Sequence, residues 1–118
     1  MIDFACKRFD LNEVIKCGLN LTKSDYKILQ YLVFESKDVI SSEEISKKLK
    51  IDVSTAQRSL KKLRDQGLVH RSQINLSPGG YVYVYSAKNR NELKKMILEI
   101  VNNWSKKVED ELNSWSKK

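Results

Sequence analysis

The feature that most constrains the fold is a turn signal at residues 77–80, which read Ser-Pro-Gly-Gly. Proline holds φ near −65°, and glycine adopts positive φ at no steric cost, so this run favours a tight turn. The flanking residues 68–76 and 81–87 read as strands, and the motif YVYVY in the second alternates with a period of two. The sequence therefore predicts a β-hairpin here.

Three of the four helices predicted before the hairpin have a capping signature at the start. In such a signature a Ser or Thr precedes an acidic or amide residue by three positions. The pairs are Thr22 with Asp25, Ser41 with Glu44, and Ser54 with Gln57. Gly67 is placed to end the third helix. A shorter helix is predicted to begin after Asp10 and end at Gly18, and residues 38–40 are predicted to form a minimal strand.

The order of these elements predicts a mostly α fold with a small β-hairpin (α+β). Two short helices joined by residues 50–53 and followed by a hairpin form a winged helix-turn-helix. The chain has 118 residues, which is typical of one domain. We expect residues 1–88 to form the winged helix-turn-helix with an N-terminal helical extension. Residues 89–118 would add a C-terminal helix to the same structural unit.

The C-terminal segment is predicted to be one long helix, because it contains neither Gly nor Pro from about residue 89 onward. Its apolar residues recur every three or four positions and form one stripe. The stripe consists of Leu93, Ile97, Ile100, Trp104, Val108, Leu112 and Trp115. Two tryptophans near the end of a chain are costly to leave in water. We expect the stripe to form a symmetric homodimer interface; packing against the chain's own N-terminal helix is the alternative.

The positive charge is concentrated in one part of the chain. The net charge is +7, and residues 54–75 carry five Lys or Arg against the single acid Asp65. Residues 1–53 are neutral, with nine basic and nine acidic residues. A focused basic region is the expected footprint of a polyanionic partner.

The predicted helix at residues 54–66 has one packing side and one polar side. Ala56, Leu60 and Leu63 share the packing side, and the polar side suits insertion into the major groove of DNA. Arg58 is the candidate for base readout, because its guanidinium can bind guanine N7 and O6 together. The other candidate DNA-binding residues are Ser54, Thr55 and Gln57 near base edges, Lys61, Lys62 and Arg71 at phosphates, and the backbone of Gly79 and Gly80. Gln57 has a competing role in the capping box, and Arg64 leans toward the packed flank.

Several other classes of protein are disfavoured. The chain has one histidine and two cysteines, Cys6 and Cys17, without the spacing of a zinc site, so we expect no metal and no cofactor. Catalytic sets such as Ser-His-Asp or Cys-His are missing from the sequence, so an enzyme is not expected. We expect both thiols to be half-buried, with a redox-sensing role as the alternative. No apolar run is long enough to span a bilayer and no signal sequence is evident, so a cytoplasmic protein without membrane association is expected.

The run SSEEISKKLKIDVSTAQRSLKKLRDQGLVHR, followed by SPGGYVYVY, resembles the winged-helix core of regulators of the MarR/TrmB type. The resemblance implies a dimeric transcriptional regulator whose wing lies beside the minor groove, and it places Arg58 where these proteins usually carry an arginine. Three features depart from the pattern. Lys50 stands where glycine is frequent, residues 72–87 carry no Lys or Arg, and the chain ends before a sugar-binding domain of the TrmB kind could form.

We therefore expect a sequence-specific regulator that binds double-stranded DNA as a homodimer on a pseudo-palindromic site. The main alternative is a winged-helix module that binds other proteins of the transcription machinery without specific DNA readout. RNA binding through Tyr81, Tyr83 and Tyr85 is a third possibility, although such a stripe usually packs within a sheet. An effector cannot be assigned from the sequence.

Overall fold

The computed structural model describes residues 2–5, 7–36 and 38–117. Eleven elements follow one another along the chain. They are β1 (Ile2–Phe4), β2 (Lys7–Phe9), α1 (Leu11–Gly18), α2 (Lys23–Gln30) continued by a π-helical turn (Tyr31–Glu35), β3 (Ile40–Ser41), α3 (Ser42–Leu49), α4 (Val53–Asp65), β4 (Val69–Asn75), β5 (Tyr81–Ala87) and α5 (Arg90–Ser116). They form two compact units, one of residues 21–90 and one of residues 1–20 with 91–118.

The unit of residues 21–90 is a winged helix, and the mostly α fold with a β-hairpin is confirmed. Strands β4 and β5 pair antiparallel from Val69 with Ala87 to Asn75 with Tyr81. The short strand β3 pairs with the other edge of β5, which gives a three-stranded sheet of order β3-β5-β4. The minimal strand thus lies slightly later in the chain than residues 38–40.

The core of this unit lies where α2, α3, α4 and the sheet meet. The largest fully buried side chains are Ile28, Ile45, Leu60, Leu63 and Leu68. Burial of each such side chain is worth about 1.5–3 kcal/mol, so apolar spacing sets which side of each helix faces inward. In α4 the predicted packing residues Ala56, Leu60 and Leu63 are all completely buried, as the helical spacing required.

Two of the three predicted capping signatures are present, and the third is wrong. Thr22 and Asp25 form a reciprocal capping box, and the Ser41 hydroxyl accepts a hydrogen bond from the Glu44 amide. Helix α4, however, begins at Val53 with Asp52 as its N-cap. Asp52 has the extended backbone of a cap, and its carbonyl accepts the first helical bond, from the Ala56 amide at 2.9 Å. Ser54 therefore lies inside the first turn rather than at the cap.

The ends of α3 and α4 both use the left-handed backbone region. Gly67 has φ +77°, and the amides of Gly67 and Leu68 donate to the carbonyls of Arg64 and Leu63. These two bonds are the Schellman arrangement, so the prediction that Gly67 ends the helix is confirmed. Lys50 takes φ +55° after α3, a conformation that favours glycine. The turn therefore has the left-handed conformation that glycine would adopt there, and Lys50 is strained by it.

The second unit contains a feature that the sequence analysis missed. Strands β1 and β2 form a small antiparallel hairpin, with Ile2 opposite Phe9, and Ala5 has φ +47° in its turn. Helix α1 follows Asp10, whose carboxylate accepts from the Asn12 amide as a cap should. Cys17 is exposed, so the expectation of a half-buried thiol is wrong there, because Cys17 lies off the side of α1 that carries Val14 and Ile15. Cys6 lies outside the described residues.

The apolar stripe of α5 is shielded from solvent only near the N-terminal end of the helix. Leu93 is buried, and Ile97 and Ile100 are half-buried. The Ile100 side chain lies close to Gly18, where an added Cβ would be 3.2 Å from Ile100 Cγ2. From Val101 to Lys117 every residue is exposed. Across the described part of the chain, the helices are too short or too polar to cross a membrane.

Candidate nucleic-acid interface

Helix α4 presents a polar outer side beside the hairpin. Ala56, Ser59, Leu60 and Leu63 are buried on the inner side. Ser54, Gln57, Arg58 and Lys61 are all exposed, and Thr55 is half-buried. Because Asp52 rather than Ser54 caps the helix, neither Ser54 nor Gln57 takes part in a capping box, and both side chains remain available to a ligand.

Arg58 lies on the outer surface of α4 with little to hold it. Its guanidinium donates one weak hydrogen bond to the Thr55 hydroxyl, at 3.5 Å. Thr55 lies one turn earlier on the same helix, so this contact directs the arginine along the helix toward its N-terminal end. The N-terminal end of such a helix is the part that meets base edges in helix-turn-helix proteins.

Lys62 occupies a different environment from its neighbours. Its ammonium lies 2.9 Å from Oδ2 of Asp25, a carboxylate on α2 whose side chain is only 5% exposed. The same carboxylate accepts a hydrogen bond from the Thr22 amide and another from the Ser59 hydroxyl. Thr22 at the start of α2 and Ser59 and Lys62 of α4 thereby form a polar cluster around the buried Asp25 carboxylate.

The Asp25 carboxyl is adapted to remain ionised. Burial raises its pKa, but hydrogen bonds from Ser59, the Thr22 backbone and Lys62 lower it by more, so its pKa lies below the ordinary value of 3.8. Sequence analysis assigned Asp25 to the capping box alone and did not identify Ser59 as its partner. Only the packing of α2 on α4 brings the two together.

The hairpin contributes Arg71 and its glycine turn. The Arg71 guanidinium stacks on the Tyr83 ring, 4.0 Å from the ring centre, and the Tyr81 ring meets Tyr83 edge-on at 5.2 Å. Gly79 and Gly80 are exposed at the turn, and an added Cβ at either would have no heavy atom within 4 Å. The turn is therefore sterically open to a ligand.

A groove lies between α4 and the hairpin. It has a volume of about 390 Å³ and its walls include Gln57, Lys61 and Arg64 of α4 and Arg71 and Tyr83 of the hairpin. Arg64 was expected to lean toward the packed flank, but here it lines the groove. The structure thus brings three of the predicted DNA-binding residues, Gln57, Lys61 and Arg71, together in one groove. Among the described residues, no group of three metal-ligating side chains occurs.

A known protein family matches the part of the chain that contains this groove. The family model described as "Sugar-specific transcriptional regulator TrmB" matches residues 15–91, well over half of the chain. This chain belongs to the TrmB family. The TrmB match covers the whole unit of residues 21–90, in which α3, α4 and the β4–β5 hairpin form the winged helix-turn-helix.

Two relatives in sequence and one structure with the same fold are similar to this chain. A "possible transcriptional regulator" of Methanosarcina mazei is 46% identical, with a TM-score of 0.91 over 98% of this chain and 96% of that one. An uncharacterized protein of Methanocaldococcus jannaschii is 31% identical over 99 residues, which cover 84% of this chain and 74% of the relative. The crystal structure of MarR superposes with a TM-score of 0.54 over 91% of this chain and 82% of that one, at 24% identity, which shows a shared fold. The predicted resemblance to MarR/TrmB-type regulators is confirmed.

Proposed function

We propose that this TrmB-family regulator binds double-stranded DNA sequence-specifically through α4, as a homodimer on a pseudo-palindromic site. The observation that carries the proposal is the division of α4 into a fully buried side and an exposed side with Ser54, Gln57, Arg58 and Lys61. Burial fixes how the helix is rotated, and the exposed side presents an arginine fork and a lysine where a major groove offers acceptors and phosphates. No catalytic role is part of the proposal.

The proposed roles differ along the helix. Ser54, Thr55, Gln57 and Arg58 lie near the N-terminal end and would meet base edges, with Arg58 reading guanine. Lys61 and Arg71 would contact phosphates, and the exposed turn at Gly79 and Gly80 would approach the backbone of the duplex. We expect a smaller contribution from Lys62, because Asp25 already neutralises its ammonium within the protein.

The test is a binding measurement on duplexes selected from a random library, with a scrambled duplex beside them. Four phosphate contacts would lower the affinity about 100-fold between about 50 and 200 mM salt. Arg58→Ala should lower the preference for the selected duplex by about 10-fold for each of the two half-sites, since a bidentate contact is worth about 1–3 kcal/mol. Lys27→Ala, which removes an exposed lysine on α2, is the matched control and should leave this preference unchanged.

The same measurement decides between DNA binding and the main alternative. A module that binds other proteins would show weak affinity for every duplex, or an affinity that does not change with salt. Wild-type protein that behaves in this way would exclude the DNA-reading proposal whatever the variants do.

The homodimer is proposed from the uncovered part of α5. Trp104 is 63% exposed and Trp115 is 71% exposed, and Val108 and Leu112 lie between them on the same stripe. These four side chains line a shallow, mostly apolar hollow on the helix together with Lys107, Glu111 and Ser114. A second copy of the same helix offers a surface of matching character, and two-fold symmetry would bury both stripes at once. Leu93, Ile97 and Ile100 are already covered to a larger extent, so the interface would centre on residues 104–115.

Light scattering at micromolar concentration tests the dimer. Wild type should have the mass of two chains, and Leu112→Glu should shift it to one, because a charge in the apolar interface would lose its hydration. Asn103→Glu places the same charge next to Trp104 but off the stripe, and should leave the mass unchanged. A wild-type mass of one chain would rule out the dimer. In the dimer, two copies of α4 would meet half-sites about one helical turn apart, near 34 Å.

A further inference from the structure

The groove between α4 and the hairpin is lined by a regular set of residues on α4. Gln57, Lys61 and Arg64 are spaced by four and three positions, so they share the side of α4 that faces the hairpin. Lys62, one position after Lys61, instead turns toward α2 and Asp25. The cations of α4 therefore face two different neighbours. Lys62 pairs with Asp25 of α2, whereas Lys61 and Arg64 line the groove beside the hairpin.

The opposite wall of the groove holds a third cation in a defined orientation. Arg71 lies on β4, and the Tyr83 ring on which it stacks lies on β5, diagonal to it in the strand register. Tyr81 meets the Tyr83 ring edge-on and supports it. A guanidinium that contacts an aromatic ring in this way retains N–H donors that can bind oxygen atoms.

The groove has an excess of positive charge that the protein does not neutralise. Lys61, Arg64 and Arg71 line it, and Glu43 is its one acidic residue. Within the part of the chain that the structure describes, neither Lys61 nor Arg64 forms an ion pair. Three cations around a groove with aromatic walls repel one another and favour a bound anion. A phosphodiester suits them well, since its two non-bridging oxygens share one negative charge and can accept from donors on opposite walls.

We infer that this groove seats one phosphate of the DNA backbone, bound by Lys61, Arg64 and Arg71, with Tyr83 as the residue that positions Arg71. The inference rests on the proposed function, because the duplex edge reaches the groove only when the outer side of α4 lies in the major groove. It adds Arg64 and Tyr83 to the interface. Bound there, the phosphate would tie α4 and the hairpin to the same strand of the duplex.

Salt-dependent binding tests the role of Arg64. Arg64→Met keeps an apolar stem and removes the charge. It should weaken binding to selected and scrambled duplexes by the same factor, with an unchanged preference between them. It should also lower the slope of log K against log salt by about 1.8 in magnitude, which is about 0.9 for one phosphate contact in each of the two protomers. Lys27→Met removes an exposed charge on α2, away from the groove, and should keep the wild-type slope.

A double-mutant cycle tests the role of Tyr83. Tyr83→Leu should weaken DNA binding, and Tyr83→Phe should restore it, since the ring alone carries the stacking. In an Arg71→Ala background, Tyr83→Leu should have no further effect on affinity. A purely structural tyrosine would give the same loss in both backgrounds, and that result would overturn the positioning role.

The outcomes separate this inference from the proposed function. Steep salt dependence in wild type with an unchanged slope in Arg64→Met would overturn the phosphate seat and leave DNA binding in place. Wild type that binds no duplex would overturn both. If inorganic phosphate at constant ionic strength shifted the NMR signals of the Arg64 and Arg71 guanidinium groups as strongly as duplex DNA does, the groove would be a site for free anions, and the assignment to DNA would be wrong.

Discussion

The polar cluster around the buried Asp25 carboxylate allows the effect of one substitution, Asp25→Asn, to be predicted in size. The substitution keeps the shape of the side chain but replaces a carboxylate with a neutral amide. Hydrogen bonds to a charged acceptor contribute about 1.5–3 kcal/mol each, and neutral ones about 0.5–1.5. The bonds from the Thr22 amide and the Ser59 hydroxyl would each lose roughly 1 kcal/mol by this comparison. The Lys62 side chain is 35% exposed, so water compensates for most of the attraction that its ammonium loses when the carboxylate becomes an amide.

We therefore expect Asp25→Asn to lower the free energy of unfolding by about 2 kcal/mol at pH 7. For a domain of this size the midpoint of thermal unfolding should fall by about 6–10 °C. Urea and thermal unfolding should be measured at one fixed protein concentration, because a dimer unfolds at a temperature that depends on concentration. Glu13→Gln, which removes an exposed carboxylate that pairs with the half-buried Lys16, is the control and should change stability by less than about 0.5 kcal/mol.

The pH dependence gives the same prediction a second check. Because the folded-state pKa of Asp25 lies below its ordinary value of 3.8, the stability that its charge contributes is fully present above about pH 4 to 5. That contribution is lost as the pH falls through the folded pKa. The difference in stability between wild type and Asp25→Asn should hence shrink below pH 4. A difference at pH 7 under about 0.5 kcal/mol, or one that is the same at pH 3, would refute the reasoning.

Lys50 and Gly67, the left-handed residues that follow α3 and α4, give opposite predictions for stability. Lys50→Gly should raise the free energy of unfolding by about 0.5–1 kcal/mol, because relief of the left-handed lysine exceeds the added chain entropy of glycine. Gly67→Ala should lower it by about 1–2 kcal/mol through the φ of +77° alone, since the nearest atom to the new Cβ, Lys88 Nζ, is 3.9 Å away. Gly67→Asn should cost less than Gly67→Ala. Urea unfolding checks all three, and either Lys50→Gly or Gly67→Ala changing stability in the opposite direction would contradict the strain argument.

Much of the fold could be predicted because it depends on short-range patterns. The Ser-Pro-Gly-Gly turn and the alternating tyrosines specify the hairpin, and apolar spacing specifies which side of α4 is buried. The predicted start of α4 was wrong because Asp52 and Ser54, two positions apart, are both good capping residues. The β1–β2 hairpin was missed because strands of three residues carry too little periodicity to detect.

The candidate site combines properties that are local in the sequence with contacts that depend on the tertiary structure. The sequence by itself determined that residues 54–71 carry a concentrated positive charge and that α4 has one packing side, because charge and helical period are local properties. Only the tertiary structure decided which cation faces which neighbour. Lys62 meets the buried Asp25 and Arg64 meets the groove, which depends on where α2 and the hairpin pack around α4. A helical wheel gives the direction of a side chain, but the partner in that direction comes from residues far away in the chain.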